Sequence, residues 1–288
     1  MTVLITGATG SIGRPLVEKL ALRGVRVRAA ARTIQSCDFP ASVRYVNVDL
    51  LEPRALIPAL DGVETLLLHP RAVAANPAEL ASAAAAHGVR RLVALSALDV
   101  DEEAGLQPSR FNGDRYREIE EAVTNSGLSW TCIRASSYAT LIMELFAAQI
   151  RVGDVVRGPY PTFAEAPVHE QDLVDVIARV LVDSDLDGRR IELTGPQSLS
   201  HREMVDIVGM VLGRPLRFVE IPPRIAADEL VATCGVQSEF ATALMARCER
   251  GGNQPATVAD DVQKVLGCPA RTFARWVADH GAAFRLRA

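Results

Sequence analysis

The sequence predicts an α/β protein: a doubly wound parallel sheet, followed by a smaller, mostly helical C-terminal region. Three observations predict it. Short apolar runs alternate with stretches of helical spacing through the first half of the 288 residues. A Gly7-x-x-Gly10-x-x-Gly13 turn separates the first apolar run from the first helical pattern. From Leu141 the alternation loosens into chain marked by Gly153, Gly158, Pro159, Pro161 and Pro167, and then into helices.

Each element has its own signal. Residues 2–5 are apolar and β-branched, and Ile12, Leu16, Val17 and Leu20 follow at helical spacing. Residues 25–31 and 42–48 read as the second and third strands, and residues 53–60 as a short helix. Residues 63–68 form a wholly apolar fourth strand ending at His69-Pro70. The alanine-rich stretch 77–87 is a helix closed by Gly88. Residues 91–95 are a fifth strand ending at Ser96, 110–125 a helix, and 130–133 a sixth strand ending at Arg134. Residues 172–182 are helical and 190–193 a seventh strand. Four helices are expected over 201–212, 225–250, 258–266 and 272–282. Ligands of such sheets sit at the carboxyl ends of the strands, so Gly10, Arg32, Asp49, His69, Ser96 and Arg134 should face one crevice. Trp130 and the apolar stretch 141–146 read as core.

Composition narrows the function classes. Hydrophobic content of 49% with 23% charged residues suits a buried globular core, and a net charge of −4 gives no electrostatic case for nucleic acid or an acidic membrane. No apolar run approaches a membrane span, and the chain opens on a strand rather than a signal peptide. The five cysteines, Cys37, Cys132, Cys234, Cys248 and Cys268, are scattered without metal-ligand spacing, which points to reduced thiols, a cytoplasmic setting and no metal. The only lysines are Lys19 and Lys264.

Strand, glycine turn and helix in that order make a dinucleotide fingerprint. Gly7 permits the tight turn, Gly10 lets backbone amides approach a pyrophosphate, and Gly13 lets the helix pack closely. With Thr9, Ser11 and Ile12 at the helix start, these are the cofactor-binding candidates. An NAD site usually carries an acidic residue about 20 positions beyond the glycines. Here the second strand ends Ala31-Arg32-Thr33, with no carboxylate until Asp38. A guanidinium suits a ribose 2′-phosphate, so NADP(H) is favoured over NAD(H), with Arg32 as the phosphate contact, Thr33 as a hydroxyl donor and Arg28 as a weaker candidate.

The ordered motifs resemble the atypical short-chain dehydrogenase/reductases, and among them the NmrA-like group with its quinone-reductase-like enzymes and redox-sensing regulators. The carrying residues are Val3-Leu-Ile-Thr-Gly-Ala-Thr-Gly-Ser-Ile-Gly13, Val93-Ala-Leu-Ser96, and Ile119-Glu120 ahead of Ser126-Gly-Leu-Ser-Trp-Thr-Cys-Ile-Arg134. Val168-His-Glu-Gln-Asp172 and Ile191-Glu-Leu-Thr-Gly-Pro196 complete the set. The resemblance implies a Rossmann domain over residues 1–150 plus about 168–196, and a substrate-binding cap over about 151–167 and 197–288. It implies an NAD(P)(H) cofactor, with Asp49-Leu50 beside the adenine and His69 and Ser96 near the nicotinamide ribose. The family's usual Tyr-x-x-x-Lys pair is here Tyr116-Arg-Glu-Ile-Glu120, with glutamate where the lysine belongs. Tyr116 then acts as a neutral hydrogen-bonding acid, shapes the pocket, or is dispensable because the acceptor takes hydride readily. Ser96 is a candidate to orient a substrate oxygen and Tyr138 to line the pocket, although Ala135 replaces the family's proline in that loop. His169 and Asp172 match the motif before the next helix, and Arg134 reads as an anchor near acidic groups.

The leading expectation is an NADPH-dependent oxidoreductase reducing a small carbonyl, quinone or conjugated compound, in secondary metabolism, with a small molecule as its substrate and a homodimer left open. A nucleotide-sensing regulator that binds a protein partner, and a non-redox isomerase, cyclase or dehydratase, are the alternatives.

Overall fold

The computed structural model describes residues 1–35, 39–49, 52–73 and 76–285. In chain order the strands and helices are β1 (Thr2–Thr6), α1 (Gly13–Leu22), β2 (Arg26–Ala31), β3 (Arg44–Asn47), β4 (Thr65–Leu68), α2 (Pro77–Ala86), β5 (Arg91–Ala97), α3 (Pro108–Phe111), α4 (Tyr116–Thr124) and β6 (Ser129–Ala135). They continue with α5 (Thr140–Val152), β7 (Val155–Gly158), β8 (Ala164–Glu165), α6 (Glu170–Val182), β9 (Arg189–Leu193), β10 (Leu199–Ser200) and α7 (His201–Leu212). The last are β11 (Arg217–Glu220), α8 (Pro223–Cys234), α9 (Ser238–Gly251), α10 (Asp261–Leu266) and α11 (Phe273–Asp279). Among the described residues, no helix is long and apolar enough to cross a membrane.

The chain divides into two compact units. The first holds Met1–Asp101, Gly113–Arg134 and Leu173–Glu192. Its seven-stranded sheet runs β3-β2-β1-β4-β5-β6-β9. β1 pairs in parallel with both β2 (Val3 beside Val27) and β4 (Leu4 beside Leu66), and β2–β3 and β4–β5 are parallel too. Strand order therefore reverses at β1 and β4, the switch point where open α/β sheets bind ligands. One face of the sheet is buried under α2 and α4 through Leu66, Leu68, Leu80, Ala84, Ile119 and Val123. Apolar residues fall on consecutive positions of β1 and β4 because both faces of a parallel sheet are covered.

The second unit holds Glu102–Asn112, Ala135–Asp172 and Leu193–Ala288. Two small sheets, β7–β11 and β8–β10, accompany its helices. Its core joins Ile142, Phe146 and Ile150 of α5 to Val208, Phe218, Phe273, Trp276 and Phe284. This boundary differs from the sequence expectation, which left residues 135–150 with the nucleotide-binding part. Residues 142, 146 and 150 lie on one stripe of α5, and that stripe is buried in the second core.

Four expected helices are redrawn. The stretch 110–125 breaks at Gly113, whose φ of +94° no helix accepts, so Tyr116 opens α4 instead of lying inside a longer helix. The stretch 225–250 is two helices, α8 and α9, and 258–266 is helical only from Asp261. Residues 53–59 wind as a 3-10 helix.

Candidate functional site

The parallel register sets the ends of β1, β2, β4 and β5 on one edge of the sheet, so the glycine turn, Arg32, His69 and Ser96 share that edge. Gly7 lies at φ +67° and turns the chain out of β1. The Gly10 N–H donates to the Gly7 carbonyl at 3.0 Å, which closes the turn. A Cβ on Gly13 would stand 2.8 Å from Ala8 Cα and closer still to the Gly7 oxygen, so α1 can start here only on glycine. Thr9, Gly10 and Ser11 are exposed, while Ile12 and Gly13 are buried beneath them. Ile12 caps α1 without a side-chain hydrogen bond, and the first turn holds no acidic residue. A helix start without an internal cap and with its positive dipole end exposed is built for an anion. The turn therefore fits the pyrophosphate of a dinucleotide.

His69 follows β4 directly beside the turn, and a Cβ on Gly7 would stand 3.0 Å from its Cγ. Thr6 fixes its place: the Thr6 hydroxyl donates to the Leu67 carbonyl and accepts the His69 N–H, each at 2.8 Å. Burial, and then the Arg71 charge, push the His69 imidazole down to about 4, so it is neutral near pH 7. Its Nδ1 accepts the Arg71 N–H at 3.3 Å, which puts the remaining proton on Nε2. The Arg71 guanidinium pairs with buried Asp114 at 3.0 Å, just ahead of α4, and so ties the His69 loop to the helix that carries Tyr116.

Beyond β2, Arg32 and Thr33 are exposed, and among the described residues Arg32 has no protein partner. The next residue is clamped. The Asn47 carboxamide accepts the Ile34 N–H at 2.6 Å and donates to the Ile34 carbonyl at 3.2 Å. Arg28 does not share this place. Its guanidinium donates to the Ala59 and Asp61 carbonyls ahead of β4, at the amino end of the sheet, so it is excluded as a phosphate contact. Its position three residues before the end of a six-residue strand puts it about 10 Å from the edge that binds ligand. Asp49 is exposed just after β3, and Leu50 lies outside the described residues.

Where a reductase of the resembled group would carry its lysine, the structure has an ion network. Glu120 takes two parallel hydrogen bonds from Arg134, both 2.8 Å, and one from Arg190 at 3.1 Å. Arg134 also bonds Asp101 at 2.7 Å. Burial works to raise the Glu120 carboxyl, but the hydrogen bonds from Arg134 and Arg190, with the nearby Ser96 hydroxyl, outweigh it and hold it below the usual carboxylate range. Ser96 is 1% exposed, and its hydroxyl favours the Glu120 charge without the geometry of a full hydrogen bond. Tyr116, half-buried, opens the same helix four residues earlier. Neither lysine is near the pair in sequence, and both are engaged: Lys19 with Asp175, Lys264 with Asp260.

The remaining candidates belong to the second unit. Tyr138 is half-buried and bridges to Val168. His169 is buried, with Nδ1 accepting the Gln171 N–H at 3.1 Å and Nε2 3.5 Å from Asp279. Asp172 accepts the Arg271 N–H at 2.7 Å and pairs with its guanidinium. Both residues, at and just before the first turn of α6, face the C-terminal helices of the same unit. Sequence reasoning missed Thr6, Asn47 and Arg190. Thr6 had a faint signal, a polar residue closing an apolar strand; the other two had none, since their partners are 13 and 70 residues away.

Comparison with known proteins fits this geometry. A family model described as NAD(P)H-binding matches residues 7–184. Over 292 residues the chain is 35% identical to a (4-alkanoyl-5-oxo-2,5-dihydrofuran-3-yl)methyl phosphate reductase of Streptomyces griseus, covering 98% of this chain and 99% of that one. It is 29% identical to an NAD(P)H azoreductase of Xenophilus azovorans, again over 98% and 99% of the two chains. In structure it resembles an NADPH-dependent quinone oxidoreductase of Escherichia coli solved with NADPH, with a TM-score of 0.80 over 97% of this chain and 99% of that one. At 22% identity that last likeness is one of fold.

Proposed function

This chain belongs to the NAD(P)H-binding family and is an NAD(P)H-dependent oxidoreductase, and on that premise we propose that it prefers NADPH and reduces a small carbonyl, quinone or conjugated acceptor. The observation that carries the reading is the pairing of an uncapped glycine-rich helix start with an exposed guanidinium at the end of β2 that has no partner among the described residues. When bound, the cofactor supplies a hydride. The chain's own residues bind and orient. The backbone of Gly7, Thr9, Gly10, Ser11, Ile12 and Gly13 holds the pyrophosphate, and Arg32 with Thr33 holds the 2′-phosphate. Asp49 lies beside the adenine. His69, neutral and carrying its proton on Nε2, donates to the nicotinamide ribose.

Tyr116 is the hydrogen-bond donor to a carbonyl oxygen of the acceptor, and Ser96 acts mainly through Glu120; Tyr138, in the second unit, is a pocket-lining residue. The acid–base alternative, with Tyr116 and Glu120 as a proton-passing pair, is disfavoured by one observation. Glu120 is already committed to Arg134 and Arg190, which hold its carboxyl below the usual range and so make it a poor acceptor for a proton from Tyr116.

The relatives' activities support reduction of conjugated small molecules: an oxodihydrofuranyl methyl phosphate in one, azo compounds in the other. The test is a fluorescence titration with NADPH, NADH and their oxidised forms, followed by an acceptor panel. Much tighter binding of NADPH than NADH, reduced about tenfold or more by Arg32→Ala, is expected, since a charge-assisted hydrogen bond contributes about 1.5–3 kcal/mol. Equal affinity for NADPH and NADH in the intact protein would sink the preference, and silence across the acceptor panel would sink the substrate class.

A further inference from the structure

Tyr160 is the one non-glycine residue with positive φ among the described residues, at +49°. A bulky side chain is strained there, and such strain survives only where the surroundings over-determine it, most often at functional sites. The surroundings here do so. Pro159 and Pro161 flank the residue, and the Phe163 N–H donates back to the Tyr160 carbonyl at 3.1 Å. On either side, the Ile221 N–H donates to the Gly158 carbonyl at 3.0 Å and the Arg202 N–H to the Pro161 carbonyl at 3.1 Å.

Phe163 is fixed in turn. Its ring meets His201 edge-on at 5.4 Å, and the Arg247 guanidinium lies 6.0 Å from its centre. Gly251 packs so closely that a Cβ there would stand 2.5 Å from the ring. Arg247 is itself held by buried Glu165 at 3.2 Å.

This framework presents the Tyr160 phenol on the rim of a small apolar cluster. Phe163, Leu244 and Cys248 form the buried base, and Tyr160, Leu230, Phe240 and Met245 stand half-buried around it. Among the described residues the Tyr160 hydroxyl has no hydrogen-bond partner. Burial first, then the neighbouring Glu249 charge, raise the phenol above its ordinary value, so it keeps its proton and can donate. An apolar surface with a single convergent polar donor is how proteins recognise small, mostly apolar ligands.

We propose that Tyr160 is a specificity-determining residue: its hydroxyl donates to a carbonyl oxygen of a planar, apolar acceptor whose ring lies against Leu230, Phe240 and Met245. The proposal rests on the carbonyl- or quinone-reductase reading above. It assigns the strained turn to substrate recognition.

The test uses the full chain and tetramethyl-1,4-benzoquinone, a quinone with no open ring position for the exposed Cys234 and Cys268 thiols to attack. Binding is measured by calorimetry and turnover by NADPH oxidation. Tyr160→Phe removes only the hydroxyl, and its Kd and KM for the quinone should rise roughly tenfold, the worth of one hydrogen bond, with the KM for NADPH unchanged. Tyr160→Gly relieves the strain, so its thermal midpoint should hold or rise while the quinone KM rises further. A merely structural tyrosine would give the opposite pattern, a lower midpoint for Tyr160→Gly and an unchanged KM for Tyr160→Phe, and that result overturns the proposal while leaving the reductase reading intact. Quinone binding that weakens in Tyr160→Phe, with no NADPH oxidation by the parent protein, overturns the reductase reading and supports this site. No binding of the quinone by the parent protein overturns the site.

Discussion

His69 shows at the residue scale how position converts an ordinary side chain into a defined hydrogen-bonding group. Its place beside Gly7 half-buries the residue, and the water lost around the ring holds the imidazole down to about 4. The sign of its pH effect follows. An unfolded histidine takes up a proton near pH 6.5, and the folded one resists until about pH 4. Its contribution to stability is therefore full above pH 6.5 and falls as the pH drops from 6.5 to about 4. Urea midpoints at pH 7, 6 and 5 should decline in the parent protein and decline less in His69→Gln; parallel curves would contradict the neutral ring. That His69 ends a strand was legible in the sequence. Its protonation state was not, because burial is set by Gly7 and Thr6, 62 and 63 residues earlier.

Loops and helices are held in register at the element scale by a few long-range polar clamps. The Asn47 carboxamide pins Ile34, and through it the segment that bears Arg32. Asn47→Ala should weaken NADPH binding several-fold while changing NADH binding much less, and the double variant with Arg32→Ala should be no worse than Arg32→Ala alone. Additive losses would mean that Asn47 does not act through Arg32. The second clamp is Glu120, buried against Arg134 and Arg190. Removing it leaves two guanidiniums without their carboxylate, so Glu120→Ala should cost about 3–5 kcal/mol at pH 7 by urea unfolding. Because its folded pKa is lowered, this contribution is present above about pH 4.3 and fades as pH falls below it. The strand–turn–helix opening and the alternation through β6 were readable from apolar periodicity. The break between α3 and α4 was less so, because Gly113 alone marks it inside an otherwise helical pattern.

The molecule divides into two compact units, and α5 falls in the second, where the sequence reading placed it in the first. Its apolar stripe belongs to the second core, with Phe146 against Phe218 at 6.0 Å. Phe146→Ala should lower stability by about 3–5 kcal/mol while the Kd for NADPH changes little, measured by urea unfolding and fluorescence titration; a comparable loss in NADPH affinity would argue that α5 serves the nucleotide-binding unit after all. By itself the sequence determined the α/β class, the glycine turn and its ligand class, and the missing lysine of the usual catalytic pair. These depend on local spacing and on residue chemistry, which a linear reading captures. Tertiary structure alone decided that Arg28 faces the amino end of the sheet, that Glu120 is committed to two arginines, that α5 joins the second core and that Tyr160 is held in a strained turn. Each of these depends on partners far away in the chain, and no local pattern encodes which distant group a side chain will meet.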